Sequence, residues 1–237
     1  MIYKLGLLGA SGKMGQEVSA LLSEGFTVGT DTFELADGIT QTGRLQSIDG
    51  VELRTFEQDP REPVHAWIDF SRPEATLQLL ESTKEPVVIC TTGFTSAQKK
   101  TVEEFARTRP LLLAPNTSLG IKVLSRLIGE ASALADHGFS VVLEEDHHKD
   151  KKDSPSGTAK RLLEVLEKAG FGPAQVHVTR AGSIVGNHTV RLIAGGEELS
   201  IRHSVTDRRI FARGAVIAAH FLLKQKTPRL YTFDEVV

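Results

Sequence analysis

The sequence predicts an α/β protein built from two domains. The chain has 237 residues, which at roughly 150 residues per domain leaves room for two. In its first half, short and almost continuously apolar runs alternate with segments of helical periodicity, as is typical of a parallel sheet covered on both faces. After Ser118, alternating strand-like runs joined by short turns predict a smaller α+β domain with a mixed, largely antiparallel sheet.

The elements of the first half follow one another as strand, turn and helix. Pro73 suits the first position of a helix, where its missing N–H costs nothing, and Ser96 suits an N-cap. The predicted strands are residues 2–8, 26–30 (ending at Asp31), 64–70, 87–90 and 111–114. The predicted helices are residues 14–23, 73–82 and 96–107.

The second half begins with a long amphipathic helix and ends with an apolar one. The predicted helices are residues 119–136, 156–169 (closed by Gly170) and 212–224, and the predicted strands are residues 139–145, 176–180, 188–193 and 197–206. Because the last helix is apolar enough to pack onto the core of the first domain, we predict domains of residues 1–117 with 208–237, and of residues 118–207.

Composition excludes several classes of partner. The 28 basic and 30 acidic side chains leave a net charge of −2, so no net field attracts nucleic acid or a membrane surface. The apolar start is too short to span a bilayer and lacks the basic lead of a signal peptide. Cys90 is the only cysteine and has no disulfide partner. We therefore expect a cytoplasmic protein.

A glycine-rich turn follows the first predicted strand. Gly9 allows the tight turn, Gly12 lets the backbone approach a pyrophosphate, and Gly15 lets the helix pack closely on the strand. The free N–H groups at the start of a helix favour the negative diphosphate. We therefore predict a Rossmann-type dinucleotide-binding domain. The residues predicted to contact the cofactor here are Gly9, Ala10, Ser11, Gly12, Lys13 and Met14.

An acidic residue after the second predicted strand suggests which cofactor is used. Asp31 lies 22 residues after Gly9, where a carboxylate accepts hydrogen bonds from the adenosine ribose and repels a 2′-phosphate. Thr32 stands where an NADP-selective enzyme often has an arginine. We therefore predict NADH as cofactor, with NADPH as an alternative.

Three further strand ends carry hydroxyl, amide or backbone donors. In an open parallel sheet the ligand lies outside the carboxyl ends of the strands, so these donors suit a nicotinamide carboxamide and its ribose. The predicted cofactor residues at these ends are Phe70, Cys90, Thr91, Thr92, Ala114, Pro115, Asn116 and Thr117.

The most informative segment is a run of histidine and lysine before a Ser-Gly-Thr helix start. Cations beside a helix N-terminus predict a site for an acid with more than one carboxylate. A solvated charged loop is the alternative. A zinc site is not expected, because the adjacent His147 and His148 would point to opposite faces of a strand and no second cysteine supports them. There is no G-x-S-x-G motif of a serine hydrolase.

The same segment resembles a family signature. Residues 145–159, read as EDHHKDKKDSPSGTA, are similar to the E-x-H-H-x-x-K-x-D-x-P-S-G-T-A motif of the dihydrodipicolinate reductase family of bacterial lysine and diaminopimelate synthesis. The likeness extends over essentially the whole chain. It includes the glycine turn and the segments at residues 69–74, 91–94, 180–188 and 211–215.

The resemblance implies an activity and a set of roles. Members reduce 4-hydroxy-tetrahydrodipicolinate with NADH or NADPH and lose the 4-hydroxyl as water. The resemblance gives catalytic, proton-transfer roles to His147 and Lys151, and substrate-carboxylate contacts to His148, Ser156, Gly157 and Thr158. It also implies a homotetramer formed through the sheet of the second domain, which would otherwise expose apolar surface and strand edges.

Two other functions fit part of this pattern. Another small NAD(P)-dependent imino-acid or aspartate dehydrogenase would share the first domain, but it does not need the pairing of His147 and Lys151 with the Ser156 helix start. A non-catalytic NADH-sensing module would lack convergent proton donors. We therefore expect the reductase reaction.

Overall fold

The computed structural model describes residues 1–40, 47–58 and 62–236. The strands of this part of the chain are β1 (Ile2–Leu8), β2 (Thr27–Val28), β3 (Asp31–Ile39), β4 (Ser47–Ile48), β5 (Val51–Arg54), β6 (Ala66–Asp69), β7 (Val87–Ile89), β8 (Leu111–Leu113), β9 (Ser140–His147), β10 (Gln175–Arg180), β11 (Gly186–Ala194), β12 (Glu197–Val205) and β13 (Leu230–Thr232). Its α-helices are α1 (Lys13–Ser23), α2 (Pro73–Ser82), α3 (Ser96–Ala106), α4 (Leu119–Glu130), α5 (Gly157–Lys168) and α6 (Arg209–Leu223).

The chain divides into two compact units. Unit 1 consists of residues 1–117 and 209–237, and unit 2 of residues 118–208. No helix in the described ranges is both long enough and apolar enough to cross a membrane.

Unit 1 is built on a mainly parallel sheet with the strand order β13-β8-β7-β6-β1-β3-β5-β4, with β2 paired to β3. All neighbouring pairs from β13 to β5 are parallel, whereas β4 and β2 run antiparallel to their partners. The strands that follow β1 in sequence, β3 to β5, lie on one side of it, and the later strands, β6, β7, β8 and β13, lie on the other side. The order therefore reverses beside β1, which is where ligands bind in sheets of this type.

The core of unit 1 explains why its strands are apolar throughout. All four residues of β6 and all three of β7 are buried, because helices cover both faces of the sheet. The last helix, α6, packs against α1, β6, β7 and β8 of the same unit and buries a run of small residues. Gly214 of α6 lies so close to the carbonyl oxygen of Thr117 that any side chain there would collide with it.

The second strand differs from the sequence prediction. Residues 26–30 were expected to form a parallel strand that ends at Asp31, but only Thr27–Val28 is extended, and it pairs antiparallel with β3. The second parallel strand is β3, which begins at Asp31 and continues to Ile39. The prediction failed because Asp37 and Gly38 interrupt the apolar pattern of β3. Asp37 is nevertheless buried, since Arg54 binds its carboxylate with three hydrogen bonds.

Unit 2 contains a mixed sheet with the order β10-β9-β11-β12. β10 runs parallel to β9, and β11 is antiparallel to both of its neighbours. One face of the sheet packs against α4 and α5 around Leu124, Leu143, Leu162 and Val190. The prediction of a mixed, largely antiparallel sheet is confirmed.

Helix ends depart slightly from the predictions. The helix expected over residues 119–136 is α-helical only to Glu130 and then continues as a 3₁₀ helix, Ala131–His137. α3 is capped by Thr95 rather than Ser96, through a capping box with Gln98. β4, β5 and β13 were not predicted.

Candidate functional site

The glycine turn in unit 1 has the geometry of a diphosphate cradle. Gly9 has φ of +82°, and a Cβ at this position would lie 2.6 Å from the carbonyl oxygen of Phe70. A Cβ at Gly15 would collide with the carbonyl oxygens of Gly9 and Ala10. Gly12 is the N-cap of α1 and has no side chain that could accept from the first N–H groups of the helix. These N–H groups are therefore directed towards the space that a diphosphate would fill.

The residues of this turn thus fit a nicotinamide dinucleotide. Lys13 is exposed at the first turn of α1, where it adds positive charge beside the helix terminus. Ser11 is hydrogen-bonded through its hydroxyl to the hydroxyl of Thr40 at 2.6 Å, which ties the turn to the end of β3. The backbone of Gly9 and Ala10 is also fixed to this strand, because both N–H groups donate to the carbonyl of Ile39.

The other predicted strand ends lie at the same edge of the sheet as the glycine turn. Leu8, Asp69, Ile89 and Leu113 are the last residues of four adjacent parallel strands. Phe70, Cys90–Thr92 and Ala114–Thr117 follow three of these strands directly, so they are brought to one edge.

A buried carboxylate holds two of these loops together. Asp69 accepts hydrogen bonds from the hydroxyls of Ser71, Thr76 and Thr91 and from the backbone N–H of Ser71. Burial raises the pKa of Asp69, and these four hydrogen bonds oppose that rise. The Thr91 hydroxyl therefore helps to hold these two loops together. The Thr117 hydroxyl is bonded to α6 instead, since it donates to the carbonyl of Phe211 at 2.7 Å.

Asp31 does not lie with these residues, and its predicted contact with the ribose is wrong. It begins β3 beside the start of β1, since Ile2 pairs with Thr32, whereas the glycine turn follows Leu8, which pairs with Ile39. Seven residues of strand at about 3.3 Å each separate the two edges. Asp31 instead binds the N-terminal ammonium at 2.7 Å and His220 at 2.8 Å, and these two partners lower its pKa.

The basis for predicting NADH over NADPH is lost with Asp31. In this fold the adenosine ribose is hydrogen-bonded by a residue at the end of the second parallel strand. That strand ends at Ile39, and Thr40 is the last described residue before residues 41–46, which lie outside the described part of the chain. Thr32, like Asp31, lies at the other edge.

In unit 2 the histidine-lysine segment, residues 147–152, begins at the end of β9. Alternate residues of this strand face the helices, and along this face the apolar Val141 and Leu143 are followed by Glu145 and His147. His188 of β11 stands directly opposite Glu145, and Gly186 begins the same strand two residues earlier. A Cβ at Gly186 would lie 3.1 Å from Nε2 of His147, so a glycine leaves room for this ring.

Glu145 is the centre of a buried polar network. Both of its carboxylate oxygens lie 3.1 Å from the backbone nitrogen of Ser156, which donates to them. Arg180 donates from Nη2 to Glu145 Oε1 at 2.7 Å and to the carbonyl of Asp153 at 2.7 Å. Burial raises the pKa of Glu145, but the hydrogen bonds from Ser156 and Arg180 outweigh it and hold the pKa below its usual value. The carboxylate is therefore ionised.

Two histidine rings pack beside this carboxylate. The rings of His147 and His188 meet edge to face with centroids 5.2 Å apart, and each has a nitrogen 3.8 Å from Glu145 Oε2. Burial lowers the pKa of His147, and Lys151 and Arg180 lower it further. Burial, and then repulsion from His147 when that ring is protonated, lowers the pKa of His188 to about 4. Both rings are therefore neutral at neutral pH.

The segment after His147 carries Lys151 and contacts the residues that follow β10, since the N–H of Lys149 donates to the carbonyl of Gly182. The N–H of Lys151 donates to the carbonyl of His148, which closes a turn. Lys151 is partly exposed and forms an ion pair with Asp153 at 2.7 Å. The carbonyl of His147 accepts from Ala181, so the strand pairing extends to the point where the lysine loop begins.

The predicted anion turn opens α5. Ser156 is the N-cap, with its hydroxyl accepting from the N–H of Ala159 at 3.1 Å and lying 3.3 Å from Nε2 of His188. Gly157 is exposed, and a Cβ there would meet no atom within 4 Å. The fold itself therefore does not require glycine at this position. Thr158 is half-buried in the same turn.

Sequence reasoning did not identify four residues of this site. Glu145, Arg180, His188 and His203 were not among the candidates, although the first three form the network around His147. The alternating pattern along β9 could have indicated Glu145, since Val141, Leu143, Glu145 and His147 share one face. The other three required the register of β10, β11 and β12, because His188 pairs with both Glu145 and His203.

Comparisons with known proteins agree over the whole chain. The family model for the dihydrodipicolinate reductase N-terminus matches residues 3–117, and that for the C-terminus matches residues 120–237. A 4-hydroxy-tetrahydrodipicolinate reductase of Bdellovibrio bacteriovorus is 35% identical over 240 residues, covering 99% of this chain and 96% of the relative. One from Caldanaerobacter subterraneus is 34% identical over 267 residues, covering 100% and 99%.

A solved structure supports the fold. The dipicolinate-bound dihydrodipicolinate reductase from Paenisporosarcina is 19% identical and superposes with a TM-score of 0.77 over 100% of both chains. With both halves matched by family models and full-length relatives above 30% identity, the chain belongs to the dihydrodipicolinate reductase family.

Proposed function

We propose that this chain reduces 4-hydroxy-tetrahydrodipicolinate with NADH or NADPH, with loss of water. Relatives that match the full chain carry the name of this reaction. The observation that carries the residue assignment is the cluster in unit 2, where Glu145 joins His147 and the start of α5 in one buried network. We assign a dinucleotide-binding role to residues 1–117 and 208–237 and a substrate-binding role to residues 118–207, bounds that lie within one residue of the two compact units.

The glycine turn would hold the cofactor. The N–H groups at the start of α1 bind the diphosphate, and the loops after β6, β7 and β8 bind the nicotinamide and its ribose. When bound, NAD(P)H supplies the hydride. The remaining requirements of the reaction are a site for two carboxylates and a source of a proton.

The start of α5 supplies the first requirement. Gly157 and Thr158 lie at a helix N-terminus, which favours one carboxylate of the substrate. The backbone N–H of Gly157 donates to the carboxylate of Asp153, and a substrate carboxylate would take the place of this side chain. The backbone N–H of Ser156 donates to the carboxylate of Glu145, and the Ser156 hydroxyl accepts from the N–H of Ala159. These two hydrogen bonds hold the turn in place before any substrate binds. His148, half-buried directly after β9, is assigned to the second carboxylate.

Lys151 and His147 supply the second requirement. Loss of the 4-hydroxyl with a proton from the neighbouring carbon, as water, leaves a C=C–C=N system. Addition of hydride to this system builds negative charge towards nitrogen, and a positioned acid must neutralise it. Lys151 is a partly exposed ammonium whose ion pair with Asp153 holds it in the loop that follows His147. His147, neutral at neutral pH, accepts or relays a proton beside it.

The two edge strands of the unit 2 sheet support self-association. Val178 of β10 and Leu199 of β12 are 38% and 42% exposed, and most of β12 is exposed. A second copy of this sheet would cover these strands, in accordance with a homotetramer. The expected location is the cytoplasm. Sedimentation as a monomer at micromolar concentration would contradict the tetramer.

A coupled assay tests the proposed reaction. The preceding synthase would form the substrate from pyruvate and aspartate semialdehyde, and the oxidation of NADH and of NADPH would be followed separately. Oxidation that requires both precursors supports the proposal and measures the cofactor preference. Cofactor binding without oxidation would contradict it and would shift the assignment to another imino acid or to an NADH-sensing module.

A further inference from the structure

Three buried side chains in unit 2 have the chemistry of a metal site. Glu145, His147 and His188 each offer one ligand atom, and these atoms all lie within 4.8 Å of one another. Glu145 and His147 share the inward face of β9, and His188 stands opposite Glu145 on β11. The set comes from two paired strands, so the sheet holds the three side chains together.

The distances within this cluster are longer, by about half an ångström or more, than those around a bound transition metal. Nδ1 of His147 and Nε2 of His188 each lie 3.8 Å from Glu145 Oε2. Zinc bonds of about 2.0–2.1 Å in tetrahedral geometry place ligand atoms about 3.3 Å apart. To complete three corners of a tetrahedron, the two 3.8 Å distances would shorten by about half an ångström, and the distance between the two nitrogens, which is at most 4.8 Å, by up to about 1.5 Å. Rotations of the three side chains would supply this movement.

A buried nitrogen without a partner points to a ligand independently of this spacing. His147 is 8% exposed, and its Nδ1 is buried, faces Glu145 and has no hydrogen-bond partner within the described residues. A buried polar atom left in this state costs free energy. A metal ion between His147 and Glu145 would satisfy it.

We propose that Glu145, His147 and His188 bind a divalent transition-metal ion of the zinc class, and that the bound ion inhibits the enzyme. The donor set of two imidazoles and one carboxylate suits Zn²⁺ or Co²⁺ and does not suit Mg²⁺ or Ca²⁺, which prefer oxygen ligands. The inhibition rests on the proposed role of His147 in catalysis, because a metal on its Nδ1 fixes the ring and removes it from proton transfer. The binding does not depend on that role.

Two neighbours limit the affinity. Arg180 donates to the other oxygen of Glu145 at 2.7 Å, so its positive charge opposes a cation. The Ser156 hydroxyl lies 3.3 Å from Nε2 of His188 and loses this contact when a metal binds there. We therefore expect a dissociation constant on the order of micromolar, far weaker than that of a structural zinc site.

This proposal departs from the sequence analysis, which did not expect a zinc site, although the argument that adjacent histidines face opposite sides of the strand still holds. His147 and His148 follow each other along the chain, so only His147 faces inward with Glu145. The second imidazole comes from the neighbouring strand, and this pairing becomes visible only with the register of β11.

Metal binding is measured on the full chain without cofactor or substrate. The substrate must be absent because an imine flanked by two carboxylates is itself a chelator. Chelator-treated protein would be titrated with Zn²⁺ by calorimetry and with Co²⁺ by visible absorption, on wild type, His147→Ala, His188→Ala and Glu145→Gln. His177→Ala is the matched control, since His177 is an exposed histidine of the same sheet on β10.

We expect one ion per chain in the wild type and in His177→Ala, with at least a tenfold loss of affinity in each cluster variant. Glu145→Gln keeps an oxygen that accepts from Ser156, so it tests the charge in a chain that still folds. Absence of binding in the wild type, or equal binding in the cluster variants and the wild type, would overturn the site.

Inhibition is tested separately under buffered Zn²⁺. Activity should fall as the ion saturates the protein and return on addition of a chelator, with a midpoint that matches the binding constant. Binding without any loss of activity would leave the reductase assignment intact and overturn the inhibition. A chain that binds Zn²⁺ but shows no reductase activity without metal would contradict the proposed function alone.

Discussion

The carboxylate of Glu145 accepts the backbone N–H of Ser156, eleven residues further along the chain, with both oxygens 3.1 Å from the nitrogen. This contact joins the end of β9 to the N-cap of α5. The loop that contains Lys151 is therefore anchored at both of its ends. The carboxylate of Glu145, the lysine loop and the start of α5 therefore form one connected structure rather than separate features of a polar loop.

Loss of the lysine ammonium should affect catalysis more than binding. We expect Lys151→Ala to lower kcat by about a hundredfold or more, since general acids contribute ~10²–10⁴-fold, while the Kd for NADH changes little. His147→Ala should act in the same direction. Lys152→Ala, at an exposed neighbouring lysine, is the control for loop charge and should retain most of the activity. Steady-state kinetics and calorimetry provide the two measurements. An equal loss of cofactor affinity would mean that Lys151 and His147 only support the fold.

A methyl group at the anion turn should separate binding from stability. Gly157→Ala adds a Cβ that meets no protein atom within 4 Å, so the melting temperature should be unchanged or slightly higher. The same methyl group would occupy the space of a bound carboxylate, and we expect KM for the dicarboxylate to rise about tenfold or more, equivalent to ~1.4 kcal/mol.

Gly129→Ala is the matched control for this substitution. Gly129 is an exposed residue of α4 whose Cβ would also meet no atom within 4 Å. Its KM should be that of the wild type. If Gly157→Ala also leaves KM unchanged, the start of α5 does not bind the substrate.

The position of Asp31 predicts a loss of stability without a change in cofactor binding. Asp31→Asn removes the charge that binds the N-terminal ammonium and His220, so the melting temperature should fall. KM for NADH and for NADPH should both remain within about twofold of the wild type, because Asp31 lies at the edge of the sheet opposite to the glycine turn. A selective change for one cofactor would show that Asp31 contacts the ribose after all.

Stability should decrease as the pH falls below the pKa of a free histidine. In the folded chain the pKa of His188 is about 4, lowered by burial and then by His147. In the unfolded chain it is about 6.5, so between about pH 6.5 and pH 4 the unfolded state binds a proton that the folded state does not. The free energy of unfolding is therefore lost as the pH falls through this window.

Urea unfolding at about pH 7 and about pH 5 measures this effect. The wild type should lose more free energy between these two values than His188→Asn, which has no titrating ring at that position. An equal pH dependence in both proteins would show that His188 is accessible to protons in the folded state.

Much of the fold follows from local patterns in the sequence. The glycine turn, the buried strands β6 and β7 and the Pro73 helix start were all predictable, because each depends on neighbouring residues only. β3 was not, because it contains the buried pair of Asp37 with Arg54, which lies 17 residues away. From sequence alone, a charged residue such as Asp37 is interpreted as part of a loop, because the residue that pairs with it in the core is not known.

In the candidate site, too, the residues that lie close together in sequence were predictable, and those that meet only through strand pairing were not. His147, Lys151 and Gly157 lie within one segment and could be recognised from its spacing. His188 and Arg180 reach Glu145 only through the pairing of β11 and β10 with β9, and such long-range register is not encoded by local periodicity. The error at Asp31 has the same origin, since the correct edge of the sheet depends on where the second parallel strand ends.

The most direct test of this account is a crystal structure of the chain with NADH and dipicolinate bound. We predict a dipicolinate carboxylate within hydrogen-bonding distance of the backbone N–H groups of Gly157 and Thr158, the Lys151 ammonium beside the same ligand, and the diphosphate on the Gly9–Gly15 turn. A dicarboxylate bound away from the start of α5, with Lys151 still paired only to Asp153, would contradict the assignment of this site.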